Sequence, residues 1–382
     1  MDRQIFAPEH NDFRETVRRF FAEEVGPDFE QWEADGIVPR ELFAKAGEIG
    51  MLGMSVDEEY GGLGLKDYRF NQVIIEEGAY AGFTGPTLGI SLHNDVCLPY
   101  FEHYCNQEQK ERWMPGIVDG SLITAVAMTE PGIGSDLASM GTKAIREDDH
   151  YVVDGSKTFI TNGVNSDLII TAVKTDPKEK HRGMSIVIVE GDSEGLERGR
   201  NLEKIGMHSQ DTAELFFNEM KVPAANLLGN EGEGFRYLVF NLAQERLSVA
   251  VAAVAAAQAA LNWTLDYVKE RTAFGKPIGS FQNSRFEMAE IRTEVDIATT
   301  HIDQCVLAHN EGRLSAEDAA AAKWWTTEMA DRVIDKCVQL HGGYGYMLEY
   351  PIARAYADNR VTRIYAGTTE IMKEIIGRSM GL

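Results

Sequence analysis

Residues Glu231 to Arg271 read EGEGFRYLVFNLAQERLSVAVAAVAAAQAALNWTLDYVKER. A glycine-rich start, an alanine-filled middle and a basic end predict one long helix. Leu238, Leu242, Glu245, Val249, Ala252 and Ala256 follow one another at steps of three and four, so they share a stripe. A carboxylate therefore stands where an inward-facing apolar side chain is expected. Burial raises a carboxyl pKa and makes an inert acid a usable base near neutral pH. The ordinary alternative is a buried Glu satisfied by an Arg from a neighbouring helix. Arg246 is poorly placed for that, because adjacent helical residues point about 100° apart.

Outward from this helix, the pattern stays helical to the carboxy terminus, over Gln282–Glu311, Ala316–Leu340 and Thr368–Gly377. Long helices of this kind bury their stripes against one another as a bundle. Upstream, Ser121 to about Asn226 is rich in short β-branched and aromatic runs, and Lys174 to Gly183 reads as a charged, exposed loop. Asp154-Gly155, between Tyr151–Val153 and Lys157–Ile160, carries a tight hairpin signal. Strand follows strand without intervening helices, which favours an antiparallel sheet or small barrel. From Asp12 to about Asp119 the periodicity is helical again, with EEYGGLGL (Glu58–Leu65) as a turn and Pro115-Gly116 as breakers. The reading is α+β: an N-terminal helical domain (1–120), a middle β domain (121–230) and a C-terminal helical bundle (231–382).

A chain of 382 residues suits two or three domains. With 37 basic against 60 acidic residues, the net charge of −23 argues against nucleic acid and anionic membrane as partners. Cys97, Cys105, Cys305 and Cys337 show neither paired nor metal-type spacing, which predicts reduced thiols in an intracellular setting. The first twenty-one residues lack the apolar run of a signal peptide and are too acidic for a transit peptide, so the cytoplasm is the expectation. Val249–Leu261 is too short and too rich in alanine for a membrane span.

No GxSxG elbow, HExxH pair or GxxxxGK loop is present. Gly229, Gly232 and Gly234 have the wrong spacing for a dinucleotide fingerprint and read as helix-entry residues. Three stretches remain. AMTEPGIGSD (Ala127–Asp136) leaves a strand for a small-residue loop whose N–H groups and hydroxyls suit a flat heteroaromatic ring or a pyrophosphate. In KTFITNG (Lys157–Gly163) alternation puts Phe159 and Thr161 on one strand face. QLHGGYGY (Gln339–Tyr346) ends a helix in glycines. Each alone has an ordinary structural explanation.

Together, in this order, these stretches resemble the flavin-dependent acyl-CoA dehydrogenase family, as do ERTAFGKPIGSFQ (Glu270–Gln282) and QLHGGYGYMLEYPIARAYAD (Gln339–Asp358). EEYGGLGL and QKERWMPGIVDG (Gln109–Gly120) extend the resemblance over nearly the whole chain. It implies FAD between the sheet domain and the C-terminal bundle. By similarity Met128 and Thr129 contact the pyrimidine end of the isoalloxazine, Phe159 packs on the ring and Thr161 bonds near its reactive nitrogen. Ser135 sits near the diphosphate and the thioester ligand. Arg271, Phe274, Gln282, Gln339, Gly342 and Gly343 hold the ADP half across a subunit interface, and Thr368 joins the cofactor site. Ile133 and Ala273 depart from the family pattern, the latter at the expense of one cofactor hydrogen bond. A homo-oligomer is implied, a tetramer built as a dimer of dimers.

Many members of that family carry the catalytic Glu in a Tyr-Glu-Gly-Thr loop, where this chain has Tyr365-Ala366-Gly367-Thr368. The isovaleryl-CoA and long-chain types instead supply the base from the long helix, immediately before an Arg, which Glu245-Arg246 matches. The resemblance thus implies that Glu245 removes the α-proton of an acyl-CoA while the flavin takes the β-hydride, giving a trans-2-enoyl-CoA. Arg246, Ala366 and Gly367 face the substrate, and the Ala366 N–H with a ribityl hydroxyl stabilises the enolate. Electrons pass to an electron-transfer flavoprotein. An oxygen-using acyl-CoA oxidase and a silent binding scaffold are the alternatives.

Overall fold

The computed structural model describes residues 3–382. Pro8 opens the first helix, where its missing N–H breaks no bond. Seven helices make the amino-terminal part: α1 (Pro8–Phe20, prolonged by a π turn over Phe21–Val25), α2 (Phe29–Asp35), α3 (Glu41–Glu48), α4 (Arg69–Ala81), α5 (Thr84–Ser91), α6 (Leu98–Tyr104) and α7 (Gln107–Asp119). A second π turn, Leu92–Cys97, joins α5 to α6. Pro115 and Gly116 do not break α7, which runs on to Gly120. A reciprocal cap between Asn106 and Gln109 fixes its start, and burial of Trp113, Met114, Ile117 and Val118 outweighs the hydrogen bond lost at proline.

The central sheet has seven strands: β1 (Thr124–Ala127), β2 (Lys143–Glu147), β3 (His150–Thr161), β4 (Leu168–Lys174), β5 (Met184–Glu190), β6 (Leu196–Asn201) and β7 (Thr212–Pro223). They run in the order β1-β4-β2-β3-β7-β6, with β5 also paired to β4. The sheet is mixed rather than purely antiparallel, since β1 and the end of β2 lie parallel to β4. Asp154-Gly155 is not a hairpin. The turn falls instead at Asp148-Asp149, and β3 continues through Gly155 with a register shift. A Cβ at Gly155 would stand 2.6 Å from Thr142 Oγ1, so the glycine serves close approach of the neighbouring chain segment. Lys174, expected in the exposed loop, is a buried end of β4 whose ammonium donates to the Glu179 carbonyl at 2.8 Å.

The carboxy-terminal part contains α8 (Gly234–Glu270), a short ribbon of β8 (Thr272–Ala273) and β9 (Lys276–Pro277), then α9 (Gln282–Asn310), α10 (Ala316–His341), α11 (Pro351–Asn359) and α12 (Thr369–Ser379). Helix α11 was not anticipated by the hydrophobic periodicity. The small side chains of Ala250, Ala253, Ala257 and Ala260 on α8 share one core with Ala322, Ala330 and Val333 of α10, which lets the helices approach closely. The stripe carrying Glu245 lies about 100° around α8 from that core face. Leu238 and Glu245 are buried on it, but Leu242, Val249, Ala252 and Ala256 are only partly so. For Ala252 and Ala256 the cause is a void, since both line a cavity shared with α4, α5, α11 and Tyr365.

Candidate active site

Helix α8 enters the fold against the sheet. A Cβ at Gly234 would come within 2.7 Å of the Ser185 backbone, and Gly229 and Gly232 have left-handed φ of 64° and 81°. This close entry brings Glu245 beneath α6. The Glu245 side chain is 4% exposed, and Tyr100 donates its hydroxyl to Oε1 at 3.2 Å. Burial pushes the carboxyl up to about 7 despite the Tyr100 hydrogen bond and the Arg246 charge. No ion pair joins Glu245 to Arg246 among the described residues. Arg246 is buried with its Nε lacking a partner, and burial holds its pKa down. One turn away, the Asp95 carboxylate accepts from Ser248 at 2.6 Å and Tyr68 at 3.1 Å, and its backbone carbonyl accepts from Gln244 at 2.9 Å. These bonds tie α8 to the π turn between α5 and α6.

The loop before α12 lies against Arg246. Ala366 has φ 51° and Gly367 φ 93°, two successive left-handed residues. An added Cβ at Gly367 would be 2.7 Å from Met372 Cε and 4.0 Å from Arg246 Nη2. Among the described residues, neither the Ala366 nor the Gly367 N–H finds an acceptor. The Gly367 carbonyl accepts from Lys323 of α10 at 2.7 Å. Thr368 caps α12 by accepting from the Ile371 N–H at 3.4 Å.

The sheet contributes a second group. Thr158 donates its N–H to the Thr129 carbonyl at 2.9 Å, which sets the strand holding Phe159 and Thr161 beside Met128 and Thr129. Below them the buried Lys157 ammonium donates to the Met128 carbonyl at 3.0 Å and to Glu130 at 2.9 Å. Glu130 also accepts from the Thr142 N–H at 2.9 Å, so the loop is pinned from inside. Its tip, Gly132, Gly134 and Ser135, is exposed. Ile133, the departure from the family pattern, rests partly buried on the apolar cluster below. Phe159 is 67% exposed and has φ 61°, at an irregularity in the β3–β7 register. A large aromatic held out in that conformation calls for a flat partner.

A third group lies at the far end of α8. Arg271, Gln339, Gly342 and Gly343 line a cavity of about 460 Å³ together with Tyr267 and Tyr344. Phe274 and Gln282 do not line it; Phe274 stands 95% exposed with φ 52°. At 1.5 Å per residue, the interval from Glu245 to Arg271 along α8 spans about 39 Å. One chain therefore does not bring all the expected cofactor residues together.

Family models describing the acyl-CoA dehydrogenase N-terminal, middle and C-terminal domains match residues 7–121, 125–220 and 232–381. This chain belongs to the acyl-CoA dehydrogenase family. It is 46% identical over 380 residues to the mitochondrial long-chain specific acyl-CoA dehydrogenase of Rattus norvegicus, covering 99% of this chain and 88% of that one. The acyl-CoA dehydrogenase structure from Geobacillus kaustophilus superposes with a TM-score of 0.97 at 51% identity over 100% of both chains. A chain in the structure of the electron transferring flavoprotein of Acidaminococcus fermentans gives 0.94 at 33% identity, covering 100% of this chain and 99% of that one.

As an acyl-CoA dehydrogenase the protein is an FAD-dependent oxidoreductase acting on acyl-CoA. Its residues fit that cofactor: Phe159 offers an uncovered ring face, and the exposed loop at Ser135 offers small residues at close range. Tyr100, Asp95 and Lys323 were missed from the sequence. They are single residues inside helical patterns, and no local motif separates them from ordinary core positions.

Proposed function

We propose that Glu245 is the base that removes the α-proton of an acyl-CoA thioester, and that the products are the trans-2-enoyl-CoA and reducing equivalents for an electron-transfer flavoprotein. The observation that carries this reading is the buried Glu245 carboxyl, pushed up to about 7 and without an ion pair among the described residues, on a helix facing the Ala366 loop. Ala366 itself has no group that takes a proton, and Glu245 supplies one. When bound, FAD supplies the two-electron acceptor for the hydride leaving the β-carbon. The chain's own part is to take the α-proton at a Glu245 oxygen and to steady the developing negative charge on the thioester oxygen with the unclaimed Ala366 N–H. Arg246 and Gly367 border the same space. Met128, Thr129, Phe159 and Thr161 are suited to the flavin ring, and Ser135 to the diphosphate.

Arg271, Gln339, Gly342 and Gly343 suit the ADP half, and the separation of Arg271 from Glu245 along α8, about 39 Å by helical rise, supports donation from a second subunit. A long acyl chain is supported by the small residues Ala252 and Ala256, which continue the Glu245 line along α8. The 46% identity to a long-chain specific relative points the same way.

Glu245→Gln tests the reading. The variant is expected to retain bound, yellow FAD and to lose bleaching by a long-chain acyl-CoA under anaerobic conditions. Undiminished bleaching would remove Glu245 from the role of base.

A further inference from the structure

Among the described residues, Lys157 and Lys323 are the most deeply buried lysines. Lys157 is paired with Glu130, as a buried ammonium ordinarily must be. Lys323 is 1% exposed, yet among the described residues it has no carboxylate partner, and its ammonium bonds only to the Gly367 carbonyl. Burial, with the Arg246 charge added, lowers its pKa to about 7. An ammonium placed in this way is costly for the fold, and simple attachment of the loop does not require it. Arg363 already pairs with Glu328 at 3.1 Å and Asp331 at 2.8 Å on α10, and Thr369 donates to Glu328 at 3.2 Å. Those contacts secure the loop on either side of its turn. Among the described residues, Lys323 is the side chain that hydrogen-bonds the turn itself.

We infer that Lys323 is a positioning residue, which holds the Ala366–Gly367 turn through the Gly367 carbonyl so that the Ala366 N–H is aimed at the thioester oxygen. The inference rests on the proposed α-proton abstraction by Glu245. Successive left-handed residues define a turn that L-residues do not hold unaided, and Ala366 is an L-residue with a Cβ. Arg246 and Met372 flank the Gly367 Cα, which leaves rotation of its carbonyl as the freedom to be removed. The Lys323 hydrogen bond removes it. Among the described residues the two N–H groups of the turn have no acceptors, as donors reserved for a ligand must.

The test uses the FAD-loaded enzyme with a long-chain 3-thia-acyl-CoA, whose sulfur replaces the β-carbon and stops the reaction at the α-proton. The thioester carbonyl stretch is followed by difference infrared spectroscopy, and α-proton exchange into D2O by mass spectrometry. In Lys323→Met the carbonyl red shift seen in wild type is expected to be largely lost, and exchange to slow by about tenfold to a hundredfold. Ligand Kd should change less than about threefold, because few binding contacts are lost. Lys323→Arg, which keeps a cationic donor, is expected to recover part of the shift.

Wild-type frequency and exchange rate in Lys323→Met would overturn the inference. If that variant fails to fold, Lys323→Gln, with a shorter N–H donor, decides instead: an intermediate shift supports the inference and an unchanged one overturns it. Failure of the underlying reading is distinguishable, because exchange would then be as fast in Glu245→Gln as in wild type.

Discussion

Tyr100 donates its hydroxyl to Glu245 Oε1 at 3.2 Å across 145 residues of sequence. Among the described residues it is the hydrogen bond that stabilises the ionised carboxylate against the burial that opposes ionisation. Tyr100→Phe removes the donor and leaves the Arg246 charge alone against desolvation, so the Glu245 pKa should rise further above about 7. A hydrogen bond to a charged group is worth about 1.5–3 kcal/mol, which corresponds to roughly one to two pH units. The acid limb of the flavin-bleaching rate against pH should move to higher pH by about that amount, while the alkaline plateau stays near wild type. An unmoved limb would show that Tyr100 does not tune the base.

Glu245 also makes stability depend on pH. Its folded pKa, about 7, lies above the ordinary carboxyl value of 4.5. Between those values the unfolded chain loses its proton while the folded chain keeps it, so stability falls as pH rises through this window. Below about 4.5 the group contributes nothing, and above about 7 its full penalty, on the order of 3 kcal/mol, is present. Glu245→Gln carries no such penalty. Its melting temperature should exceed that of wild type by several degrees at pH 8 and converge with it near pH 4, as calorimetry at both values would record.

Phe159 stands outside the fold's own packing, so its removal separates cofactor binding from folding. Phe159→Ala should leave the stability of the apoprotein within about 0.5 kcal/mol of wild type, the range of ordinary surface substitutions. FAD retention through gel filtration should fall by about an order of magnitude in affinity, in line with the loss of one aromatic contact. A substantial loss of apoprotein stability would mean that the ring packs within its own chain.

Asn359 is buried beside the cavity at Ala252 and Ala256, with neither amide atom hydrogen-bonded among the described residues. Leaving buried polar atoms unsatisfied costs about 1–3 kcal/mol. Asn359→Ala should therefore stabilise the protein by about 1 kcal/mol, after allowance for the small void it leaves, measured by chemical denaturation.

The legible and illegible parts of the chain differ in physical kind. Glu245 could be singled out because a helix repeats every three to four residues and one charged residue interrupts the repeat. The alternation expected at Phe159 and Thr161 is interrupted, because Phe159 takes a left-handed φ of 61° at a register shift between β3 and β7. Pro115 and Asp154-Gly155 misled, because local propensity was overruled by burial of Trp113 and Ile117 in one case and by a register shift in β3 in the other. Tyr100 and Lys323 were invisible, since their partners lie 145 and 44 residues away and nothing local marks either contact. Helix α8 was predicted correctly, yet its stripe was taken for packed core when part of it faces a void.

The length of α8 has a consequence for the life of the enzyme. If Glu245 is the base and Arg271 holds the nucleotide half, as proposed, a single helical rod of this length ties a subunit to two different cofactors. Under the proposed two-subunit arrangement, prosthetic-group retention belongs to the assembly rather than to the single polypeptide. Dilution or mild heating that parts neighbouring subunits would then release colour into solution while each rod, and the fold around it, stays whole.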